Sequence, residues 1–138
     1  MKEVKFELPI FKTVSESNVK EHYRISGARH RWQQKRIKGI LMSKKEAACV
    51  KLPCTVKLTR ISPRKLDSDN LTMAFKWIRD EIADFLIPGL KKGRADSDSR
   101  IEWEYAQEKS KTSETGIKIE FVEKVNLPPA SNNCVVNQ

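Results

Sequence analysis

Two short acidic segments contain the side chains with the clearest potential for chemistry. Asp67 and Asp69 lie in the segment LDSDN, and Asp96 and Asp98 lie in the segment ADSDS. Mg²⁺ prefers oxygen ligands and is commonly held by one or two carboxylates together with phosphate oxygens. A cation held in this way can activate water and stabilise the leaving oxygen in phosphodiester hydrolysis. If the two segments meet in the fold, the sequence predicts a site for divalent cations.

The same aspartates also fit ordinary structural roles. An Asp in front of a helix caps its first turn, which is worth on the order of 1 kcal/mol, and Asp and Ser are common turn residues. Lys76 lies seven residues after Asp69, so a helix would place both on roughly the same face, where the lysine could neutralise a scissile phosphate. An exposed helix lysine without such a role is the more common case, and both alternatives stay open.

The chain separates its charges along its length. It has 138 residues, with 27 Lys and Arg against 18 Asp and Glu, which leaves a formal net charge of +9. Residues 15–65 carry fourteen basic and three acidic side chains, whereas residues 66–138 carry ten basic and thirteen acidic ones. A polyanion-binding surface beside a carboxylate site would produce this separation, so nucleic acid is the first candidate partner and a membrane surface the second. A basic tract that is only a solvated face stays an alternative.

The elements that must position these side chains follow from the hydrophobic periodicity. Alternation of apolar and polar residues predicts four strands, at residues 2–8, 54–61, 101–105 and 117–121. Helical spacing predicts a basic amphipathic helix over 28–48, after an interruption at Ser26 and Gly27, and a second helix over 69–87. Residues 109–116 are expected to close a hairpin between the last two strands.

This order, β-α-β-α-β-β, predicts an α+β fold in which helices pack on a mixed sheet. The length suits a single domain, which we expect over residues 1–125, with a flexible C-terminal tail over 126–138. If the third strand lies beside the second, the loop that carries Asp67 and the loop that carries Asp98 would meet at one edge of the sheet.

Other features exclude several classes of protein. No stretch approaches the roughly 20 apolar residues that a membrane span needs, so no membrane-spanning segment is expected. The N-terminus does not have the pattern of a signal peptide, and three cysteines without a CxxC pair fit a reducing compartment. The sequence therefore predicts a cytoplasmic protein.

The ordered motifs resemble the RusA-like family of Holliday-junction resolvases, especially its phage-encoded members. The motif that carries the resemblance is D-x-D-N-L at residues 67–71, followed by a helix and a further aspartate in SDSRI at residues 97–101. The segments NVKEHYR at 18–24, KWIRD at 76–80 and WEYAQEK at 103–109 are also similar to the phage branch. The similarity covers roughly residues 2–122.

The resemblance implies a homodimeric endodeoxyribonuclease that uses Mg²⁺ or Mn²⁺ and nicks opposed strands of a four-way DNA junction. It would act in DNA recombination and repair, in the cytoplasm of a bacterium or a phage-infected host. Asp67, Asp69 and Asp98 would hold the metal and act in catalysis. Asp96, displaced by one position, would help them or serve only as a turn residue.

The family also uses a lysine on the helix that follows D-x-D-N. This chain has Met73 at the position four residues after Asp69, where some members have the lysine, and Lys76 is the nearest substitute. The backbone of branched DNA would follow cations of the basic segment, which are Arg24, Arg29, Arg31, Lys35, Arg36 and Lys38. The alternative is a non-catalytic DNA-binding protein on the same fold, in which the aspartates are caps and turn residues.

Overall fold

The computed structural model describes residues 3–9, 11, 13, 23–91, 94–111 and 114–124. In the first helix, the side chains are described from residue 27 onward. These residues form a four-stranded mixed sheet with helices packed against it, which confirms the predicted α+β class. The predicted tail over 126–138 lies outside the described residues. None of the helices within the described ranges combines the length and the apolar content needed to cross a bilayer.

The strands are β1 (Glu3–Pro9), β2 (Cys54–Ser62), β3 (Ile101–Lys109) and β4 (Gly116–Glu123). Their order across the sheet is β1-β4-β2-β3, with β4 antiparallel to both of its neighbours and β2 parallel to β3. The third strand therefore lies beside the second, as expected. The predicted hairpin between the last two strands is wrong, because β4 pairs with β1 and β2 and its connection from β3 passes across β2.

Alternation along each strand decides which face of the sheet carries the core. Phe6, Ile119, Leu58 and Tyr105 lie in one row across the four strands, and the first three are essentially inaccessible to solvent. Burying such a side chain contributes roughly 1.5–3 kcal/mol. The helices cover this face, whereas the opposite face is charged and has no helix among the described elements.

Helix α1 (Tyr23–Ser43) is basic and continuous, and the short helix α2 (Lys45–Ala48) follows it. The expected interruption at Ser26 and Gly27 is wrong. A glycine inside a helix costs about 1 kcal/mol relative to alanine, and α1 offsets this because Ile37 and Leu41 anchor it in the core.

The single helix predicted over 69–87 is two helices, α3 (Ser68–Ala74) and α4 (Lys76–Leu86). Phe75 joins them with φ −100° and ψ 6°, and its side chain is fully buried. The apolar spacing of three and four residues continues through this junction, so the pattern alone cannot reveal it. Helices α1 and α4 pack side by side on the sheet.

Gly116 is required by the pairing of β1 with β4. A Cβ atom at this position would lie 2.9 Å from the backbone oxygen of Leu8, because Gly116 stands opposite Pro9 in the register. The cysteines differ in state: Cys49 is disulfide-bonded, whereas Cys54 is a buried free thiol whose pKa burial raises to about 11.

Candidate active site and nucleic-acid surface

Asp67 caps the first turn of α3. Its Oδ1 accepts a hydrogen bond of 2.9 Å from the backbone N–H of Asn70. The preceding residue, Leu66, is held beside β3 because the Gln107 side-chain amide donates to its backbone oxygen (2.7 Å) and accepts from its backbone N–H (2.8 Å). The first acidic segment is therefore anchored next to the C-terminal part of β3, and Asp67 has the capping role that the sequence left open.

Asp98 lies just before β3, and its carboxylate is engaged by Arg100. Oδ1 accepts from the backbone N–H of Arg100 at 2.9 Å and from its Nε at 3.0 Å, and Oδ2 accepts from Nη2 at 3.0 Å. The Arg100 hydrogen bonds hold the pKa of Asp98 at about 2. A carboxylate bound in this way has to release a bidentate arginine before it can bind a cation.

The register of the sheet separates the two acidic segments. Cys54 pairs with Ile101 and Ser62 pairs with Lys109, so the loop after β2 and the start of β3 lie at opposite ends of these parallel strands. Ile101 and Gln107, the neighbours of the two segments, are six residues apart along β3, which corresponds to about 20 Å.

The expectation that the two acidic loops meet at one edge is therefore wrong for Asp67 and Asp98. Within the ranges that the structure describes, no group of three or more His, Cys, Asp or Glu side chains could hold a metal ion. The set Asp67, Asp69 and Asp98 is not assembled in this arrangement.

Asp96 is held against α4 and β3 instead. It lies in a single 3₁₀ turn, Ala95–Ser97. The backbone oxygen of Asp96 accepts hydrogen bonds from Trp103 Nε1 and from Arg79 Nη2, both at 3.0 Å. Arg79 Nε lies 3.4 Å from Asp96 Oδ2, and Arg79 Nη1 donates to the Tyr105 hydroxyl at 2.7 Å. The guanidinium also lies 4.8 Å from the centroid of the Trp103 ring. Arg79 therefore fixes both the backbone and the carboxylate of Asp96.

Asp96 faces a cavity of about 300 Å³ that we call the Asp96 pocket. Its lining residues come from α3, α4, the 3₁₀ turn and β3, and they are Thr72, Met73, Lys76, Arg79, Asp96 and Tyr105. Asp69 does not line this pocket, but it lies four residues before the lining residue Met73 in α3, one turn away on the same helix face. Of the aspartates singled out from the sequence, Asp96 shares the pocket lining with Lys76.

The electrostatics of the Asp96 pocket favour an added positive charge. The pKa of Asp80, on the next turn of α4, is raised to about 6, first by burial and then by the negative charges of Asp96 and Asp84. Lys76 and Arg79 oppose this effect without cancelling it. Carboxylates that repel one another in a partly buried site are stabilised by a cation.

Helix α1 packs against α4, the helix that contributes Lys76 and Arg79 to this pocket. His30 on α1 stacks on Trp77 of α4, with ring centroids 4.3 Å apart, and Trp77 directly follows Lys76. The exposed cations of α1 are Arg31, Lys35, Arg36 and Lys38, and Arg29 is partly buried. The side chain of Arg24, which was also expected to follow DNA, lies outside the described residues.

Arg79 and Tyr105 were missed from the sequence. The available signal was the pair of aromatic residues with polar groups, Trp103 and Tyr105, on a strand at the edge of the sheet, because partly buried Trp N–H and Tyr O–H groups need partners. Comparisons with protein-family models, curated proteins and solved structures find no match to this chain. The candidate site is therefore defined by its own geometry, and the resemblance to the RusA-like family stays an expectation.

Proposed function

We propose that the chain is a metal-dependent endodeoxyribonuclease that nicks branched DNA, including four-way junctions. The observation that carries this proposal is the packing of α1 beside α4, because it sets a helix with exposed cations (Arg31, Lys35, Arg36 and Lys38) against the helix that carries Lys76. A DNA backbone that follows the cations of α1 would bring a phosphate close to Lys76. The homodimer and the cytoplasm of a bacterium or a phage-infected host belong to the same proposal.

The donor chemistry fits a hard cation at Asp69 and Asp96 better than at Asp98. The Asp98 carboxylate is held by Arg100 through three hydrogen bonds, whereas the Asp96 carboxylate faces the pocket with one ion pair of 3.4 Å. Mg²⁺ or Mn²⁺ is commonly held by one or two carboxylates with substrate phosphate oxygens, so a third protein carboxylate is not required. The cation would supply Lewis-acid stabilisation of the phosphate charge.

The residues of the chain then divide the remaining work. Lys76 neutralises negative charge on the phosphate, including the charge that develops during cleavage. Arg79 keeps Asp96 in place through the backbone oxygen, the carboxylate and Tyr105. Asp67 stays the cap of α3 and keeps Asp69 in position. The cations of α1 bind successive phosphates, which makes binding strongly dependent on salt.

A non-catalytic DNA-binding protein is the second candidate. It is favoured by the engaged state of Asp67 and Asp98 and by the lack, within the described ranges, of a group of three metal-binding side chains. It predicts salt-dependent binding of branched DNA, with no cleavage in either Mg²⁺ or Mn²⁺.

A nicking assay on synthetic four-way, flap and linear duplex DNA separates the two candidates. We expect the parent protein to nick branched DNA in Mg²⁺ or Mn²⁺, and EDTA to abolish nicking while junction binding survives. Asp96→Asn should lower cleavage by about 100-fold or more, and Asp69→Asn should do the same. Asp98→Asn is the matched control and should cleave nearly as well as the parent protein.

Two results would refute this assignment. Equal cleavage by Asp96→Asn and the parent protein would remove Asp96 from the site, and a large loss in Asp98→Asn with full activity in Asp96→Asn would restore the original set. Binding of junctions by the parent protein without cleavage in either metal would favour the binding-only candidate.

A further inference from the structure

Trp32 is an exposed aromatic ring in the middle of the basic helix. Among the described residues, the exposed large hydrophobic side chains are Trp32 (41% exposed), Met42 and Leu90. Tryptophan is highly buried on average in folded proteins. An exposed tryptophan between Arg31 and Lys35 is therefore a candidate for contact with a ligand.

The ring is held rigidly from the protein side. Its centroid lies 4.9 Å from the centroid of Phe11, a residue with no solvent exposure, at an interplanar angle of 40°. The Arg36 guanidinium, one turn further along α1, lies 5.5 Å from the ring centroid. Trp32 is therefore an indole that packs on a buried ring and has a cation, Arg36, beside it.

A groove lies further along α1, and it shares Arg36 with the surroundings of the Trp32 ring. It encloses about 400 Å³ between α1, which contributes Lys35, Arg36, Gly39, Ile40 and Ser43, and the end of β1, which contributes Glu7, Leu8 and Pro9. A Cβ atom added to Gly39 would meet no other atom within 4 Å, so the backbone of the helix is open to a ligand there. Lys35 and Arg36 give the part of the groove nearest to Trp32 two cations for phosphates.

We propose that Trp32 is a stacking platform for an unpaired nucleobase, with Lys35 and Arg36 binding the adjacent phosphates. A single aromatic ring is too small a surface for a protein interface, and its flanking cations select an anionic ligand. Bases inside a duplex already stack on one another, so the exposed part of the Trp32 ring selects bases outside a continuous stack. This inference rests on the DNA binding in the proposed function and adds that the substrate presents an unpaired base.

The test compares binding of a labelled 12-nucleotide single strand with binding of the same strand made fully abasic. The parent protein should bind the normal strand about tenfold more tightly than the abasic strand. Trp32→Ala should weaken binding of the normal strand by about tenfold and leave binding of the abasic strand unchanged. The salt dependence of binding should stay the same, because no charge is removed.

Three further variants keep the test decisive. Trp32→Leu preserves an apolar contact with Phe11 but has no π face. It should therefore lose about tenfold in affinity for the normal strand, and it replaces Trp32→Ala in the test if the alanine variant is poorly folded. Trp32→Phe should retain most of the affinity. Met42→Ala removes another exposed apolar side chain from α1 and should bind both strands like the parent protein.

The outcomes separate this inference from the proposed function. Equal binding of normal and abasic strands by the parent protein, with junction binding intact, overturns the stacking platform alone. Binding of no DNA at all overturns the proposed function and the platform together. Trp32-dependent binding to vesicles with anionic lipids, without any Trp32 effect on DNA, also overturns the platform.

Discussion

Both sides of the sheet carry charges, but they use them differently. On the face without helices, charges of opposite sign are paired across strands. Lys5 lies 3.1 Å from Glu3 and 3.8 Å from Glu120, and Lys118 lies 3.0 Å from Glu108. Hydrogen bonding to Glu108 raises the pKa of Lys118. Such exposed pairs add little stability, but they cancel the field that a polyanion would feel.

On the helical side, three exposed cations of α1 are not paired with carboxylates of the described residues. Within the described part of the chain, Arg31, Lys35 and Lys38 have no carboxylate within 4 Å. The comparison teaches that the formal charge of +9 is a poor guide to where a polyanion would bind, because paired lysines contribute to the count and little to the potential. The unpaired charge on α1 is the relevant quantity.

The largest expected effect comes from removing equal charge from the two faces. Changing Arg31, Lys35 and Lys38 to Gln together should weaken DNA binding by roughly 30-fold at low salt and reduce the slope of log K against log salt by about 3. The control changes Lys5, Lys118 and Lys124 to Gln, which removes the same charge from ion pairs, and should leave binding nearly unchanged. Equal losses in both triple variants would show that only net charge matters. Fluorescence anisotropy with labelled duplex over a salt series measures both.

Arg79, also on the helical side, is bound to Tyr105 and Asp96. Its replacement should therefore affect cleavage and not DNA binding. In Arg79→Lys, the single ammonium group cannot contact the Tyr105 hydroxyl, the backbone oxygen of Asp96 and the Asp96 carboxylate at once. We expect cleavage to fall about tenfold, as for other residues that orient metal ligands, with DNA affinity unchanged. Tyr105→Phe removes one of these contacts and should show a smaller loss. Parent-like cleavage by Arg79→Lys would contradict the positioning role.

Asp80 on α4 differs from the paired charges of the face without helices, because its charged neighbours include two carboxylates, Asp96 and Asp84. Its pKa is raised from 3.8 to about 6, so the folded protein binds more protons than the unfolded chain between these pH values. Stability should therefore fall as pH rises through this window. At pH 7, Asp80→Asn should be more stable than the parent protein by about 1 kcal/mol, after allowance for solvent screening.

Urea unfolding in EDTA at pH 4 and pH 7 measures this difference without a bound cation. The advantage of Asp80→Asn should be present at pH 7 and small at pH 4. An advantage of the same size at both pH values would show that the Asp80 charge is not its cause.

The smallest expected effect separates folding from charge on α1. Gly39→Ala adds a methyl group where no atom lies within 4 Å, and it should stabilise the helix by roughly 0.5–1 kcal/mol. Binding of duplex DNA should not change, because the charge is the same. Gly116→Ala is the opposite case and should destabilise the protein, because its Cβ would meet the backbone oxygen of Leu8. Thermal unfolding measures both, and destabilisation by Gly39→Ala would contradict the open environment of that residue.

Much of the fold could be predicted from local patterns. Alternation predicted β1 and β2 with their inward residues, because one face of each strand is buried. The pairing of β4 with β1 and β2 could not be predicted in this way, because alternation marks a face and does not name a partner strand. The break at Phe75 was hidden for a similar reason, since the helical period continues across it.

The sequence by itself determined which chemistry is present: a basic segment, an acidic D-x-D-N motif that begins a helix, and a second acidic segment before a strand. The tertiary structure decided which carboxylate faces the pocket. Asp96 and Asp98 are two residues apart in similar surroundings in the sequence, but the 3₁₀ turn and Arg79 hold the first against α4, while Arg100 engages the second. This choice depends on side chains contributed by α4 and β3, which only the packing of these elements brings together.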